Sequence, residues 1–467
     1  MISQLLLKGW QHHRWMLLFL TTVLIASLLY SVHFYVLTLP DALLEGSRWL
    51  VSLTFFGYAW QKRSLSTWIF FSMLVGIEIG LTFPEFSQHL QVFSKVFLKM
   101  IKTIIAPILF ATLVVGIAGH SDFKQLGRLG WKSLLYFEVV TSIALIIGIV
   151  CINISKAGVG IIPPPDLAKE LPTEPVQTHT WQELILNIFP ENIAKSIYHG
   201  EVLPIVVFSL LFGISLAMVA EDKRKPVLHF TEGLAETMFK FTRLVMYFAP
   251  IGVGAAIAVT VGHMGIDILV ALFKLLVTLY VALFLFLLFV LLPIAWIARV
   301  PIRKFIKAVA EPATIAFATT TSEAALPKAL ENMQKLGVPG KIASFVLPTG
   351  YTFNLDGSTL YLSLASVFVA QAAGVNLSWG DQLLMVLTLM ITSKGIAGVP
   401  RASLVILMAT AASFGLPLWP IMAILGIDEL MDMARTSVNL IGNCLATVVM
   451  ARWEGEYQEP AGEISFD

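Results

Sequence analysis

The side chains best suited to binding chemistry recur between Gly426 and Arg452, near the carboxyl end of the chain. Six polar or charged residues stand one, three or four positions apart in an otherwise apolar segment. They are Asp428, Asp432, Arg435, Thr436, Asn439 and Asn443. At about 100° per residue, these positions share one arc of a helix. Because an ionisable group in an apolar surround is costly unless it faces protein, water or ligand, the arc is predicted to line a polar cavity.

A simpler interpretation of part of this pattern is a structural ion pair. Asp432 and Arg435 are three residues apart, a spacing at which opposite charges on a helix neutralise each other. Such a pair leaves the other polar residues on the same face without a role. We therefore favour a binding site and keep the structural pair as the alternative.

Residues 347–361, LPTGYTFNLDGSTLY, place a second polar group inside apolar sequence. Its polar members are Asn354, Asp356 and Ser358, and the glycines Gly350 and Gly357 can relax helical geometry beside them. An unwound turn would expose carbonyl oxygens near the Asp356 carboxylate, which predicts a cation site. A turn of the kind found in soluble proteins is the alternative.

Glu138 is the only charged residue in the apolar run LLYFEVVTSIALIIG, and Thr141 and Ser142 follow it. A carboxylate buried in such a span would suit a proton carrier, so we predict that role for Glu138. A side chain that reaches the membrane interface or makes a structural hydrogen bond remains the alternative.

The composition places these groups in a membrane protein. Of 467 residues, 57% are hydrophobic and only 13% are charged, far from the balance of a soluble domain. The net charge of +1 offers no concentrated basic face for nucleic acid. Two cysteines inside apolar runs provide neither a disulfide framework nor a thiolate metal cluster. All nine histidines precede Met264, which argues against a Ser/His/Asp enzyme or a zinc site here.

Two further function classes are weighed against binding and transport. An intramembrane aspartyl protease could use Asp356 and Asp428, whose carboxylates would have to meet and share a proton. Arg435 and the neutral polar groups beside them suit binding rather than hydrolysis, so we predict that the protein is not an enzyme. A channel gated by the same ligand differs from a carrier in its turnover stoichiometry.

Apolar runs near bilayer length predict the membrane helices. They cover residues 15–39, 65–81, 93–118, 131–154, 192–220, 226–262 and 266–297. Residues 1–63 are predicted to form a peripheral helical hairpin with a short second arm at 49–60. Basic residues at both of its ends predict cytoplasmic termini. Residues 156–180 contain five prolines and are predicted to be an external loop.

Beyond Arg299, glycine, proline, hydroxyl and charged residues repeatedly interrupt the apolar sequence. Two interrupted stretches resemble each other, ATTTSEAALPKA at residues 318–329 and ITSKGIAGVPRASL at residues 391–404. Paired segments of this kind predict the substrate site of a transporter built from inverted repeats. Ordinary turns between full spans are the alternative.

Four motifs together resemble the dicarboxylate/amino acid:cation symporters, the family of bacterial glutamate symporters and excitatory amino acid transporters. They are TSEAALP, PTGYTFNLDGSTLY, TSKGIAGVP and DELMDMARTSVNLIGN. The resemblance covers roughly residues 65–456, and residues 1–63 have no counterpart in it. It implies an all-α membrane protein with eight transmembrane helices and two re-entrant hairpins, an elevator-type carrier that assembles as a homotrimer in the cytoplasmic membrane.

The resemblance also implies a division of the chain. Residues 64–300 would hold scaffold helices, with the span 131–154 belonging to the transport domain, and residues 454–467 would be a cytoplasmic tail. The core of the transport domain, residues 301–453, would consist of a hairpin at 302–336, a broken helix at 337–372, a hairpin at 377–413 and a last helix at 414–452. The hairpin tips would lie near Ser322 and Val399.

By the same resemblance, Arg435 would bind the side-chain carboxylate of a small anionic substrate and Asp432 its ammonium group. Thr436 and Asn439 would bind its α-carboxylate, and Ser322, Ser358, Val399 and Ser403 would complete the pocket. The coupling ion would be handled by Glu138, Thr141, Ser142, Gly350, Thr352, Asn354, Asp356, Ser393, Asp428 and Asn443, with a sodium ion at Asn354, Asp356 and Asn439. Retention of both Asp432 and Arg435 favours glutamate or aspartate, with C4-dicarboxylates as the alternative.

Three residues depart from the family pattern. Sodium-coupled members usually carry a carboxylate where this chain has Asn443 and a tyrosine where it has Phe137. A neutral amide binds sodium less strongly, so together with Glu138 this favours proton coupling over sodium coupling, and no other cofactor is expected. Arg401 stands where the GVP turn is more often followed by glycine, and it either contacts an anionic substrate or faces solvent.

Overall fold

The structure, a computed structural model, describes residues 2–118, 123–161, 186, 189–199, 202–395 and 401–459. Every regular element among these residues is helical. The chain divides into two compact units. The first comprises Met1–Met100 and Leu244–Val270, and the second comprises Ile101–Arg243 and Ala271–Asp467.

The helices have the following bounds in chain order. They are α1 (Ile2–Tyr35), α2 (Asp41–Lys62), α3 (Leu65–Thr82), α4 (Pro84–His89), α5 (Gln91–Ala118), α6 (Phe123–Ser155), α7 (Ile193–His199), α8 (Val202–Met218), α9 (Glu221–Met246), α10 (Ala249–Met264), α11 (Asp267–Phe286), α12 (Leu292–Ile297), α13 (Ile302–Thr319), α14 (Ser322–Lys335), α15 (Gly340–Phe353), α16 (Asp356–Ala372), α17 (Trp379–Thr392), α18 (Ala402–Ser413), α19 (Trp419–Leu425) and α20 (Asp428–Trp453). A π-helical turn, Leu287–Leu291, joins α11 to α12.

In the first unit, α1 and α2 form a helical hairpin. Their hydroxyls Thr22 and Thr54 share a hydrogen bond of 2.9 Å between the two Oγ1 atoms. The ring of Trp15 lies on Gly57, where a Cβ atom would come within 2.2 Å of the indole. Because the hairpin packs through a glycine, a large aromatic ring fits against helical backbone.

Two contacts attach α3 to its neighbours in this unit. Arg48 on α2 donates from Nε to Glu78 Oε2 on α3 over 2.9 Å. On another side, Gly76 of α3 lies against Gly254 of α10, where a Cβ on Gly76 would lie 2.4 Å from the Gly254 carbonyl oxygen. The paired glycines let the two backbones approach closely, as small residues do at helix interfaces in membranes.

The second unit is built around α16, which is buried along almost its whole length. Gly148 of α6 packs against it, and a Cβ there would lie 2.1 Å from Ser363 Oγ. At the other side, Gly357 lies against α20, where a Cβ would be 2.5 Å from the Arg435 carbonyl oxygen. Helix α16 is therefore held between α6 and α20 by close contacts of backbone with backbone.

Two helix breaks in this unit leave backbone groups outside regular helical hydrogen bonding. The first separates α13 from α14, where Thr320 adopts a left-handed φ of 54° and Thr321 Oγ1 accepts a hydrogen bond from the Ala324 N–H. The second separates α15 from α16 at Asn354 and Leu355. Such interruptions are tolerated at membrane depth where protein surrounds the freed backbone groups.

By length and composition, five of the described helical segments are apolar enough to cross a membrane. A sixth span results if α9 and α10 count as one, since they are bent by 49° at the break between them. The segment predicted as one helix over residues 226–262 is thus two helices in the structure. The short second arm predicted at 49–60 is the full helix α2, of 22 residues. The protein is accordingly a multi-pass helical membrane protein.

Glu454, just beyond the end of α20, connects that helix to the start of α6. Lys132 Nζ and Arg128 Nη2 both donate to its carboxylate. The hydrogen bond from Lys132 is the largest influence on this group and lowers the pKa of Glu454 below its ordinary value. The stabilisation is therefore present above the ordinary carboxylate pKa and is lost as the pH falls through the lowered value.

Gly148 offers a test of this packing. We expect Gly148→Ala to lower the apparent unfolding temperature of the detergent-solubilised protein, because the new methyl group overlaps Ser363 and the Leu360 carbonyl. Overpacking of this kind costs about 1–3 kcal/mol. The matched control is Gly233→Ala, in the middle of α9, where nothing lies within 4 Å and helix propensity predicts a gain of roughly 0.5–1 kcal/mol. Equal behaviour of the two variants would contradict the close α6–α16 contact.

Candidate binding site

A buried arginine organises the first turns of α20. Arg435 donates from Nη1 to Asp428 Oδ1 and from Nε to Asp432 Oδ1, both over 2.9 Å. Its guanidinium carbon lies 4.2 Å from the ring centroid of Tyr361 on α16, a cation–π contact. Thr436 Oγ1 donates to the same Asp432 oxygen over 3.2 Å. The structural pair of Asp432 and Arg435 therefore exists, and it forms part of a larger cluster.

Arg401, next to the start of α18, completes this cluster. Its side chain is only 1% exposed, so the option that it faces solvent is wrong. Its Nη2 donates to Glu429 Oε2 over 3.0 Å, and its Nε lies 3.9 Å from Asp428 Oδ2. Its backbone N–H donates to Asp432 Oδ2 over 3.0 Å. Arg401 adopts a left-handed φ of 64°, a conformation that favours glycine, so the buried ion pair holds an otherwise unfavourable backbone.

Several guanidinium N–H groups in this cluster have no acceptor within the described part of the chain. Among the described residues, Arg401 Nε and Nη1 and Arg435 Nη2 have no hydrogen-bond acceptor. Buried guanidinium N–H groups are normally paired, and they match the planar geometry of a carboxylate. The arrangement can therefore accept an acidic group from a ligand.

Further along α20, amide side chains face the break between α15 and α16. Asn439 Oδ1 accepts hydrogen bonds from the backbone N–H groups of Gly357 and Ser358, over 2.7 and 3.1 Å. Asn439 Nδ2 donates to Ser358 Oγ over 2.9 Å. These bonds cap the first turn of α16, which has no other partner for its first N–H groups within the helix.

One turn later, Asn443 joins the same break. Its Oδ1 accepts from Asn354 Nδ2 over 3.1 Å, and Asn354 Nδ2 also donates to Asp356 Oδ2 over 3.1 Å. Glycines make this approach possible, since a Cβ on Gly442 would lie 2.2 Å from Asp356 Oδ2 and one on Gly350 would lie 2.1 Å from Asn443 Oδ1. The polar face of α20 thus lies against residues 354–358, inside the protein.

Two oxygens at this break fit a small cation or a proton. Asn354 Oδ1 and Asp356 Oδ1 are buried and have no hydrogen-bond partner among the described residues. Carboxylate and amide oxygens are ligands of hard cations, and unpartnered buried acceptors call for a donor or an ion. Asn443 presents only a neutral amide here, and its Nδ2 has no partner in the described part of the chain. No cluster of three or more His, Cys, Asp or Glu side chains suited to a metal ion occurs within the described ranges.

Glu138 does not lie where a buried proton carrier was expected. Its side chain is 43% exposed, so the expected burial is wrong. Its Oε2 lies 3.1 Å from Lys394 Nζ, and the same nitrogen donates to Thr141 Oγ1 over 2.9 Å. Lys394 was not among the predicted site residues. A lysine in the apolar hairpin sequence TSKG was the signal that could have revealed it.

For the other predicted site residues in the described ranges, the structure gives burial and local hydrogen bonds. Ser322 and Ser403 are buried, and Thr352 is half-buried. Ser393 Oγ donates to the Met390 carbonyl and Ser142 Oγ to the Glu138 carbonyl. Val399 lies outside the described residues. Glu429, which pairs with Arg401, is a further buried charge that the sequence pattern did not single out.

Comparison with known proteins identifies the family. The model of the sodium:dicarboxylate symporter family matches residues 65–453. The chain is 43% identical over 415 residues to a proton/sodium-glutamate symport protein of Bacillus caldotenax, with 87% of this chain and 97% of the relative covered. It is 43% identical over 411 residues to a proton/glutamate-aspartate symporter of Escherichia coli (strain K12), covering 85% and 94%.

A C4-dicarboxylate transport protein of Bacillus subtilis (strain 168) is 36% identical over 406 residues, which cover 85% of this chain and 95% of the relative. The resemblance that the four sequence motifs carry is thereby confirmed. The family model over residues 65–453 and the relatives at up to 43% identity show that this chain belongs to the sodium:dicarboxylate symporter family.

Proposed function

We propose that this protein is a secondary active symporter, not an enzyme, that takes up glutamate or aspartate together with protons, sodium ions or both. The observation that carries the proposal is the buried Arg435 guanidinium, held between Asp428 and Asp432 with one nitrogen unpartnered. The glutamate and aspartate symporters at 43% identity support this substrate class. Symport of C4-dicarboxylates is the alternative, supported by the relative at 36%.

The proposed substrate chemistry follows the charges of the site. A carboxylate of the substrate would pair with Arg435, whose fork geometry suits it. The ammonium group would pair with Asp432, and the α-carboxylate with Thr436 and Asn439. Ser322, Ser358, Val399 and Ser403 would complete the pocket. A C4-dicarboxylate has no ammonium group and would leave the charge of Asp432 unused.

Charge balance supports coupling to a cation. Four buried carboxylates, those of Asp356, Asp428, Glu429 and Asp432, outnumber the two buried guanidiniums of Arg401 and Arg435. The nearby charges of Lys394 and Glu138 pair with and offset each other. With every group ionised, the site has two excess negative charges, and an acidic amino acid adds one more. Uncompensated charge in a low-dielectric interior costs several kcal/mol per ion. Protons or sodium ions that enter with the substrate would neutralise this excess.

The unpartnered oxygens of Asn354 and Asp356 are the proposed place for such a cation or proton. The wider coupling set is the one implied by the family motifs: Glu138, Thr141, Ser142, Gly350, Thr352, Asn354, Asp356, Ser393, Asp428 and Asn443. The neutral amide of Asn443 beside this place favours a proton over a sodium ion.

The proposed architecture is an elevator-type carrier with eight spans and two re-entrant hairpins, assembled as a trimer with cytoplasmic termini. The break at Thr320 and Thr321 supports the first hairpin, and the break at Asn354 and Leu355 supports the broken helix after it. Residues 301–453 with the span 131–154 would form the moving domain. Residues 1–63 would be an addition outside the eight-span plan.

Arg401 is proposed to fasten the second hairpin, defined as α17, the turn Ser393–Gly395 and α18, to the start of α20. Its contacts with Asp432 and Glu429 would have to break when the hairpin opens. The strength of this fastening follows from burial, because removing one partner of a buried ion pair leaves an uncompensated charge.

Asp432→Asn tests the ammonium site. The substitution keeps the shape and one hydrogen-bond acceptor but removes the charge. We expect the ratio of glutamate to succinate uptake in proteoliposomes to fall about tenfold or more, as loss of a charged hydrogen bond predicts. An equal loss for both substrates would indicate a structural role for Asp432, and unimpaired glutamate uptake would refute its role in binding.

Arg401→Gly tests the fastening. Glycine suits the left-handed backbone, so the expected fall in uptake arises from the unpaired Glu429 carboxylate rather than from strain. We expect glutamate affinity in proteoliposomes to fall about tenfold. The double variant Arg401→Gly with Glu429→Gln should recover part of this loss. Unchanged affinity in the single variant would show that the ion pair is incidental to transport.

A further inference from the structure

Lys394 lies in the second hairpin, and its ammonium group is almost fully surrounded by oxygen. The side chain is 13% exposed. Its Nζ lies 3.1 Å from Glu138 Oε2, 2.9 Å from Thr141 Oγ1 and 3.3 Å from the Phe353 carbonyl oxygen. An ammonium group has three N–H donors, so each donor has one acceptor.

These three oxygens form the kind of ligand set that a hard monovalent cation takes. They are a carboxylate, a hydroxyl and a backbone carbonyl at the end of an interrupted helix, which are the groups that coordinate sodium ions in transporters with broken helices. They come from α6 and from the last residue of α15, directly before Asn354. The site lies beside the polar break that the proposed function assigns to the coupling cation.

A sodium ion does not fit among these oxygens in the structure, because the lysine nitrogen takes the central position. A second positive charge placed a few ångströms away would be repelled, because like charges in a mostly buried site are only weakly screened by solvent. The three oxygens would suit a free cation, but the structure places the ammonium group of Lys394 among them.

We propose that Lys394 is a built-in cation that takes the place of a coupling sodium ion between Glu138, Thr141 and the Phe353 carbonyl. The ammonium group joins the second hairpin to α6 as a bound ion would, but it never leaves with the substrate. It therefore adds no ion to the transport stoichiometry and makes this position independent of sodium. The inference rests on the proposed symport function, but the unfolding measurement that tests it does not require transport.

A cavity adjoins this position. It has a volume of about 290 Å³ and is lined by Glu138, Lys394, Phe353 and apolar residues of α6 that include Trp131. If the lysine side chain is shortened, the space that it leaves gives a cation room among the three oxygens. The negative charge of Glu138 then attracts it.

The test uses the full-length purified protein without substrate. The apparent unfolding temperature is measured in sodium chloride and in choline chloride at equal ionic strength, for the wild type and for Lys394→Ala. A ligand that binds only the folded state raises this temperature. We expect sodium to stabilise Lys394→Ala more than the wild type, with saturation. An equal or smaller response in the variant would overturn the proposal and leave Lys394 as a structural ion-pair partner.

The matched control is Lys341→Ala, which removes an exposed lysine of the same unit that pairs with Glu456. Its sodium response should equal that of the wild type. If Lys394→Ala does not fold, Lys394→Ser gives the same measurement, because its short polar side chain suits the polar surroundings and leaves room for an ion.

A second readout concerns coupling. When choline replaces sodium, glutamate uptake driven by a proton gradient should fall about tenfold further for Lys394→Ala than for the wild type, and an equal fall in both would contradict the proposal. Absence of glutamate uptake in the wild type would instead count against the proposed function, and the unfolding measurement would still decide the role of Lys394.

Discussion

The structure of the second unit depends on one constraint, that a charge inside an apolar interior must have a partner. Arg435 meets it through Asp428, Asp432 and the ring of Tyr361. Arg401 meets it through Glu429, across the distance between the second hairpin and α20. The Arg401–Glu429 pair and the Arg435–Tyr361 contact join different helices, whereas Asp428 and Asp432 lie on the same helix as Arg435. Because an unpaired buried ion costs several kcal/mol, these pairings determine which helix faces meet.

The same constraint explains why the helices break where they do. The interruption at Asn354 leaves backbone N–H groups at the start of α16 without helical partners. Asn439 Oδ1 accepts hydrogen bonds from two of these groups. Glycine at position 357 lets α20 approach until that amide reaches the backbone. A continuous helix through this point would leave Asn439 without partners, and a larger residue at position 357 would hold α20 away. The close packing at Gly357 and the hydrogen bonds of Asn439 therefore specify the same arrangement of α16 and α20.

The sequence predicted the features that periodicity encodes and missed those that tertiary pairing creates. The spacing of polar residues from Asp428 to Asn443 correctly indicated a buried face, and the four motifs indicated the family. Glu429 was missed because it directly follows Asp428 and so lies off the arc that the other polar residues share. Its partner Arg401 comes close only in the folded protein. Lys394 was missed because its three acceptors come from other helices, and Glu138 was expected to be buried because its exposure depends on which neighbours cover α6. The bend between α9 and α10 was missed although the sequence signals it, because Pro250 in the first turn of α10 is a residue that ends or kinks a helix.

Internal pairing also bears on how such a site can choose among substrates. Both carboxylate oxygens of Asp432 are engaged within the protein, since Oδ1 accepts from Arg435 and Thr436 and Oδ2 accepts one hydrogen bond from the Arg401 backbone. In the proposed binding mode, an ammonium group would use the remaining acceptor position of Oδ2 or replace Arg435 at Oδ1. Replacing Arg435 would release its guanidinium toward the carboxylate of the same substrate. A molecule with both groups supplies a partner to each side of the separated pair. In the same proposed mode, a dicarboxylate would supply a partner only to Arg435 and would leave Asp432 with one hydrogen bond fewer, so the proposed selectivity follows from the requirement that every buried charge remains paired.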